Sequence, residues 1–405
     1  MKSTQYFIHT AKLISLSLLI GVSGGVLGAL FSKTLTFVTD LRTQNNWLIY
    51  FLPLAGLLSV GIYKLLKTTG MSTNTVIKSC TGESKLSSTL TPAIFISSAI
   101  SHLFGASVGR EGAALQLGGG LATILSKIFR LDDTDRQILT YCGMAGLFSA
   151  VFGTPLAAFV FALQIVYVWR IHYKAIFPCL ITSFTAYITS ISLGIHPERF
   201  NFDSVPEITV SLILKTIVIS VFSAFLAMLF CYSLKYTEKL FKRLFKNAFL
   251  RIAVGGVITV LLTVIVNTND YNGAGINIIE HIFTNGEFKP QAFILKLVFT
   301  CIAVGAGFKG GEIVPTLFIG ATFGSLVASL LGVPVALGAL VGMTALFCGV
   351  TNCPLAAILL SLEIFSGKGL IYIVLSAIIS YLFSGKISLY SAQKVIGFKN
   401  FFKKS

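Results

Sequence analysis

From Ile313 to Leu362 the chain carries no Asp, Glu, Lys or Arg, and shorter charge-free blocks run from Leu13 to Phe31, Ile217 to Leu234 and Ile252 to Asn269. About 20 apolar residues in a row suffice to cross the hydrocarbon core of a bilayer as a helix. Only 11% of the 405 residues are charged, against about 25% in an ordinary soluble domain. Such a chain cannot cover itself for water, and the fold class expected is an all-α polytopic membrane protein. With about 20 to 25 residues per span, the length holds about ten to fourteen membrane segments, some shorter than a full crossing. One transmembrane domain over residues 1–405 is expected, with no soluble regulatory domain.

The first apolar run follows a weakly basic start at Lys2, His9 and Lys12. At about 19 residues it is longer than a signal-peptide core, and no small-x-small cleavage site follows it. Its stretch Gly21-Val22-Ser23-Gly24-Gly25-Val26-Leu27-Gly28 reads as a helix surface built for close packing. The net charge of +16 does not point to nucleic acid. Lys235, Lys239, Lys242, Arg243, Lys246 and Arg251 fill one connector between apolar blocks, and Lys394, Lys399, Lys403 and Lys404 fill the tail. Basic loops beside spans mark the cytoplasmic side, so the connector 235–251 and the C-terminus are expected inside the cell, in a multi-pass protein of the plasma membrane. The seven cysteines (Cys80, Cys142, Cys179, Cys231, Cys301, Cys348, Cys353) lack metal-ligand spacing and read as small buried hydrophobes.

A repeat divides the chain. Gly143-Met144, Leu147-Phe148, Val151 and Pro155-Leu156-Ala157-Ala158 recur without a gap as Gly342-Met343, Leu346-Phe347, Val350 and Pro354-Leu355-Ala356-Ala357, at an offset of 199 residues from Gly143 to Gly342. Membrane transporters built from two related halves bind their substrate where the halves meet. The halves are placed at 10–200 and 208–392. Upstream of each copy lies a Gly-rich segment, Gly105 to Gly112 and Gly305 to Pro315. At the same offset Arg110 falls on Lys309 and Gly112 on Gly311.

Glycine clusters leading into apolar helical runs suggest helices that begin inside the membrane, where irregular backbone survives only beside protein or a water-filled cavity. A helix starting there aims unpaired N–H groups and its positive dipole end into the cavity, which makes an anion site. Partial charges bind an anion without holding it as tightly as a full cation, and conduction needs release as well as binding. Pro155 and Pro354 mark either further helix starts or kinks. Glu111 and Glu312 stand within these segments, and ionisable groups at such depth are functional candidates. A carboxylate beside an anion path can occupy the site itself, or withdraw as an acid carrying a proton. The bland alternatives are ion pairs of Glu111 with Arg110 and of Glu312 with Lys309. Lys309 lies at a cavity mouth or neutralises a carboxylate. Glu363, which aligns with Gln164, reads as an interfacial residue.

Gly109-Arg110-Glu111-Gly112, Gly311-Glu312-Ile313-Val314-Pro315 and Tyr390 together resemble the three anion-site segments of the CLC chloride channels and transporters. The resemblance covers essentially the whole chain, and Gly273-Ala274-Gly275-Ile276-Asn277 falls in family order. It implies a CLC-type fold of two inverted repeats with broken helices, and a homodimer with one pathway per subunit. It also implies that Glu111 gates, that Tyr390 donates its hydroxyl to the anion, and that Gly109, Arg110, Gly112, Ile313 and Val314 form the anion-binding helix ends. Two departures set this chain apart from chloride-handling members. The stretch Gly70-Met71-Ser72-Thr73-Asn74 places Met71, or Ser72 if the alignment slips by one, where they carry a coordinating serine. Phe161-Ala162-Leu163-Gln164-Ile165 lacks their inner proton glutamate. With Glu312 in a place that is usually apolar, these features resemble the fluoride/proton antiporters of the family. The expected activity is therefore fluoride export in exchange for protons, with chloride/proton exchange or a passive chloride channel as the alternative. No cofactor or metal is implied beyond the transported fluoride and proton. The chain has no HExxH, no GxSxG triad and no nucleotide loop, and no enzymatic activity is expected.

Overall fold

The computed structural model describes residues 2–170, 172–201 and 205–395, with side chains from His9 onward. Lys399, Lys403 and Lys404 of the tail lie outside the described residues. Sixteen α-helices follow one another among those described, with no strand longer than an isolated bridge. The first eight are α1 (Lys2–Gln44), α2 (Leu52–Leu65), α3 (Thr73–Cys80), α4 (Leu90–Leu103), α5 (Glu111–Ile128), α6 (Asp133–Phe152), α7 (Pro155–Gln164) and α8 (Tyr173–Ser192). The second eight are α9 (Val210–Leu244), α10 (Ala248–Val266), α11 (Ile276–Asn285), α12 (Ala292–Ala306), α13 (Ile313–Leu330), α14 (Val335–Thr351), α15 (Pro354–Ile364) and α16 (Leu370–Phe383). Six of the spans are long and apolar enough to cross a membrane, and six further apolar helices are shorter.

Many hydroxyl groups on the apolar helices bond within their own helix, which suits a lipid surrounding. Ser17, Ser23 and Thr34 on α1, Thr216 and Ser220 on α9, and Thr259 and Thr263 on α10 each donate to the carbonyl four residues back. The glycine face of α1 packs as its sequence suggests. An ideal Cβ on Gly21 would stand 2.7 Å from Cβ of Thr185 on α8, and one on Gly28 would meet Ala150 of α6 at 2.5 Å.

The two sets of eight helices repeat one another, and the reading of Pro155 and Pro354 resolves in favour of helix starts, since each is the first residue of its helix. Backbone touches backbone at matching places. Gly118 of α5 packs on Gly143 of α6, as Gly320 of α13 packs on Gly342 of α14. Those contacts correct the register of the Gly-rich segments. Gly118 matches Gly320, an offset of 202, whereas Gly143 matches Gly342 at 199. α6 has 20 residues and α14 has 17, and the extra residues lie at the start of α6. The structural mate of Arg110 is therefore Glu312, and that of Gly109 is Gly311.

α7 and α15 cap each other reciprocally. The amides of Leu156 and Ala157 donate to the two carboxylate oxygens of Glu363 at 3.0 and 2.8 Å, and the amide of Ala356 donates to Oε1 of Gln164 at 2.9 Å. Glu363, read from sequence as an interfacial residue, is thus a helix cap for the opposite half. Across the halves the rings of Phe148 on α6, Phe161 on α7 and Phe347 on α14 contact in series, tilted by 50° and 47°, with centroids 5.1 and 5.6 Å apart.

The basic connector is more helical than the sequence suggests. Lys235, Lys239, Lys242 and Arg243 ride the end of α9, whose 35 residues make it about 52 Å long at 1.5 Å per residue. That exceeds a hydrocarbon core of about 30 Å, so the polar end can leave the lipid without breaking the helix.

Candidate anion site

α5 and α13 start beside one another, head to head. Gly109 and Gly311 exchange both backbone hydrogen bonds, N–H to O=C, at 2.6 Å each, so the two entering segments run antiparallel across the junction of the halves. Only glycine fits this crossing. An ideal Cβ on Gly112 would lie 2.9 Å from Cα of Gly311, and one on Gly311 would lie 3.0 Å from the amide nitrogen of Glu111. The exchange also uses the Gly109 amide, which is therefore not free to bind an anion as expected.

Glu111, the first residue of α5, is fully buried and reaches across the junction. Its Oε2 accepts from the amide of Arg110 at 3.1 Å and from the amide of Val314, in the first turn of α13, at 3.3 Å. A carboxylate thus occupies a place that a helix N-terminus offers to any anion. Its other oxygen has no hydrogen-bond partner, although Nε of Arg110 lies 3.6 Å away. The Arg110 guanidinium is shared: Nε forms the ion pair with Glu111 that is the alternative reading of that carboxylate, and Nη2 pairs with Glu198. Arg110 therefore contributes its amide and this ion pair here, and its side chain closes the outer wall.

Glu312 holds the N-cap position of α13, with no capping bond from its side chain. Its Oε2 is sealed from solvent without a partner, 3.3 Å from where a Cβ on Gly112 would stand. The alternative reading of Glu312, an ion pair with Lys309, is not formed; Lys309 Nζ lies over the Tyr63 ring, 4.3 Å from its centroid. Tyr390 is 3% exposed, its hydroxyl is buried and unpartnered, and it belongs to the same core cluster as Ile313 and Val314. Glu111, Glu312 and Tyr390 therefore each keep an oxygen with unused hydrogen-bonding capacity. Buried polar atoms left without partners are uncommon, and each needs a physical explanation.

The first motif separates into two roles. Ser72 is the N-cap of α3, tied into a capping box with Thr75, whose Oγ1 accepts the Ser72 amide at 3.2 Å. Its hydroxyl serves the helix. Met71, half-buried, packs against the core that contains Ile313, Val314 and Tyr390. Ile313 is buried as the first residue of α13.

Sequence reading missed the residues that lock these segments together. Gln116 donates to Thr73 Oγ1 at 3.2 Å and to the Gly112 carbonyl at 3.4 Å, joining α3 to α5. Asn74 Oδ1 accepts the amide of Ala392, and Gln393 donates to the Thr351 carbonyl at 2.7 Å, fixing the Tyr390 segment. Polar residues next to Met71 and Tyr390 were the available signal. Outward of Glu111, a cavity of about 390 Å³ is lined by Arg42, His102, Arg110, Glu198 and the start of α11.

Residues 55–385 match the family described as voltage gated chloride channel. A chloride/fluoride channel protein of Pseudomonas syringae pv. tomato is 33% identical over 396 residues, covering 96% of this chain and 87% of that protein. An H(+)/Cl(-) exchange transporter of Vibrio cholerae is 26% identical, covering 89% and 83%. The crystal structure of a CLC-type fluoride/proton antiporter superposes with a TM-score of 0.92 at 33% identity, covering 96% of this chain and 99% of that one.

Proposed function

Since the chain belongs to the voltage-gated chloride channel family, we propose that it exports fluoride across the plasma membrane in exchange for protons. The observation that carries the reading is the Glu111 carboxylate held by the Val314 amide at the start of α13. As an anion, Glu111 competes with the transported ion for the same donors. As an acid it loses the charge that holds it there, swings away and admits the ion. One group then handles both ions in turn.

Fluoride is favoured over chloride by three features of the site. Fluoride is small and strongly hydrated, so the pocket must replace its water with close, directed donors. The helix amides and the free Tyr390 hydroxyl are such donors, and Glu312 opposite them can hold a second proton. Met71 stands where a hydroxyl would otherwise serve a larger ion. A similar protein is a chloride/fluoride channel protein, and a similar structure is a fluoride/proton antiporter. Family membership further suggests a homodimer with one pathway per subunit, and the basic end of α9 suggests that the 235–251 connector faces the cytoplasm.

The test is flux in proteoliposomes read with a fluoride electrode. An outside-acid gradient should drive fluoride out against its own gradient, and chloride should respond far less. Equal chloride exchange would make the protein a chloride/proton exchanger, and anion flux indifferent to the pH gradient would make it a passive channel.

A further inference from the structure

Two cations that the exchange reaction does not use lie at or behind the wall of the outer cavity, Arg42 lining it and Lys296 buried behind it. Lys296 on α12 is fully buried, its ammonium donating to the carbonyls of Tyr271 and Gly273 at 3.2 and 2.6 Å. Arg42, at the end of α1, lies over Gly273, where an ideal Cβ would stand 2.9 Å from its Nη2. Among the described residues neither cation has a carboxylate partner, and Nε of Arg42 is buried without any bond. The cavity's carboxylates are engaged or peripheral. Glu198 pairs with Arg110, Asp270 pairs with Lys289 at 2.7 Å, and Asp40 and Glu280 are exposed at the rim.

His102, on α4, also lines the cavity. It is 3% exposed, and its Nε2 is sealed without a partner. Its Nδ1 lies 2.9 Å from the Ser98 carbonyl. A carbonyl only accepts, so Nδ1 carries the proton, and on a neutral ring Nε2 is a bare lone pair. The start of α11 lines the same cavity. It opens on Gly275 at φ +83°, the Ile278 amide donates to the Gly275 carbonyl, and the amides of Ile276 and Asn277 precede the intrahelical ladder. A bare lone pair in a cavity lined by Arg42 and Arg110 has two ways to be satisfied. It takes a donor, or it takes a proton together with an anion that balances the added charge.

We propose that the outer cavity holds a second anion site, in which one small inorganic anion is bound by Arg42, the first amides of α11 and a His102 imidazolium donating from Nε2. Anion and proton occupy it together. The site stands one step outside Glu111, where an outgoing anion meets an incoming proton, and it does not depend on the transported ion being fluoride.

The test is proton uptake on anion addition, measured by calorimetry in buffers of different ionisation enthalpy. The sample is the purified full chain carrying Glu111→Gln and Glu312→Gln, which removes the two central carboxylates. Sodium fluoride and sodium chloride are each titrated at pH 6 and at pH 7.5. Binding should take up a proton, and affinity should weaken by up to about tenfold per pH unit, because linked binding is reciprocal. His102→Asn, which keeps a donor but cannot titrate, should bind with an affinity that no longer changes with pH. Binding without proton uptake, pH dependence that survives His102→Asn, or no binding of either salt overturns the proposal. Fluoride flux in the intact protein judges the exporter reading separately.

Discussion

Glu111 accepts two amide hydrogen bonds, from Arg110 and Val314, that a free anion could accept instead. Glu111→Gln keeps an acceptor for those amides but abolishes the charge change. In proteoliposomes it should retain passive anion flux while uphill fluoride movement under a pH gradient falls at least about tenfold, since coupling needs two protonation states. Coupling that persists in the glutamine variant would remove Glu111 from its role. Tyr390 offers a second test, because its hydroxyl is buried and makes no internal bond. Tyr390→Phe therefore breaks nothing in the empty protein. If the hydroxyl donates to the ion, about 1.5 kcal/mol of charge-assisted hydrogen bonding is lost, and calorimetry should show anion binding weakened by about tenfold. Unchanged binding would make Tyr390 a packing residue. At this scale the sequence was most legible where chemistry is unusual. A carboxylate inside an apolar run, as at Glu111 and Glu312, announces itself, whereas His102 and Gln116 look like ordinary polar residues until the fold shows what lies opposite them.

Helices meet here by backbone contact, and that makes individual glycines unequal. A Cβ on Gly342 would run into the Gly320 carbonyl, while one on Gly61 of α2 meets nothing within 4 Å. Gly342→Ala should destabilise by about 1–3 kcal/mol through overpacking. Gly61→Ala should be neutral or stabilise by about 0.5–1 kcal/mol, because alanine loses less backbone entropy. Thermal unfolding in detergent, followed by size-exclusion chromatography, separates the two. Equal behaviour would mean that the α13–α14 contact relaxes freely. The repeat that fixed this contact was readable from sequence because α6 and α7 match α14 and α15 without a gap. The register of the preceding helices was not, because the extra residues at the start of α6, around Asp133 and Asp135, shift α5 relative to α13 without changing the apolar pattern. Extending the 199 offset through that point set Arg110 against Lys309, whereas the reciprocal Gly109–Gly311 pair sets Arg110 against Glu312.

The molecule as a whole has a two-fold frame that carries charges which do not obey it. Glu111 is matched by Ile313, Arg110 by Glu312, and Glu363 by Gln164, so the halves share their helix ends but differ in their titratable groups. Under the proposed exchange, the symmetric scaffold would serve a path reached from either side, and the unmatched carboxylates would couple the proton to the anion in the opposite sense. Because exchange is set by the two gradients alone, its direction is not built in, and reversing the pH gradient must reverse the flux. One pH unit is worth about 1.36 kcal/mol per proton. With voltage held at zero by potassium and an ionophore, a one-unit gradient should therefore sustain about a tenfold fluoride gradient if one proton moves per anion. An inside-acid gradient of equal size should accumulate fluoride to the same ratio. A fluoride distribution that relaxes to equality under either gradient would show that the carboxylates open the path without coupling it.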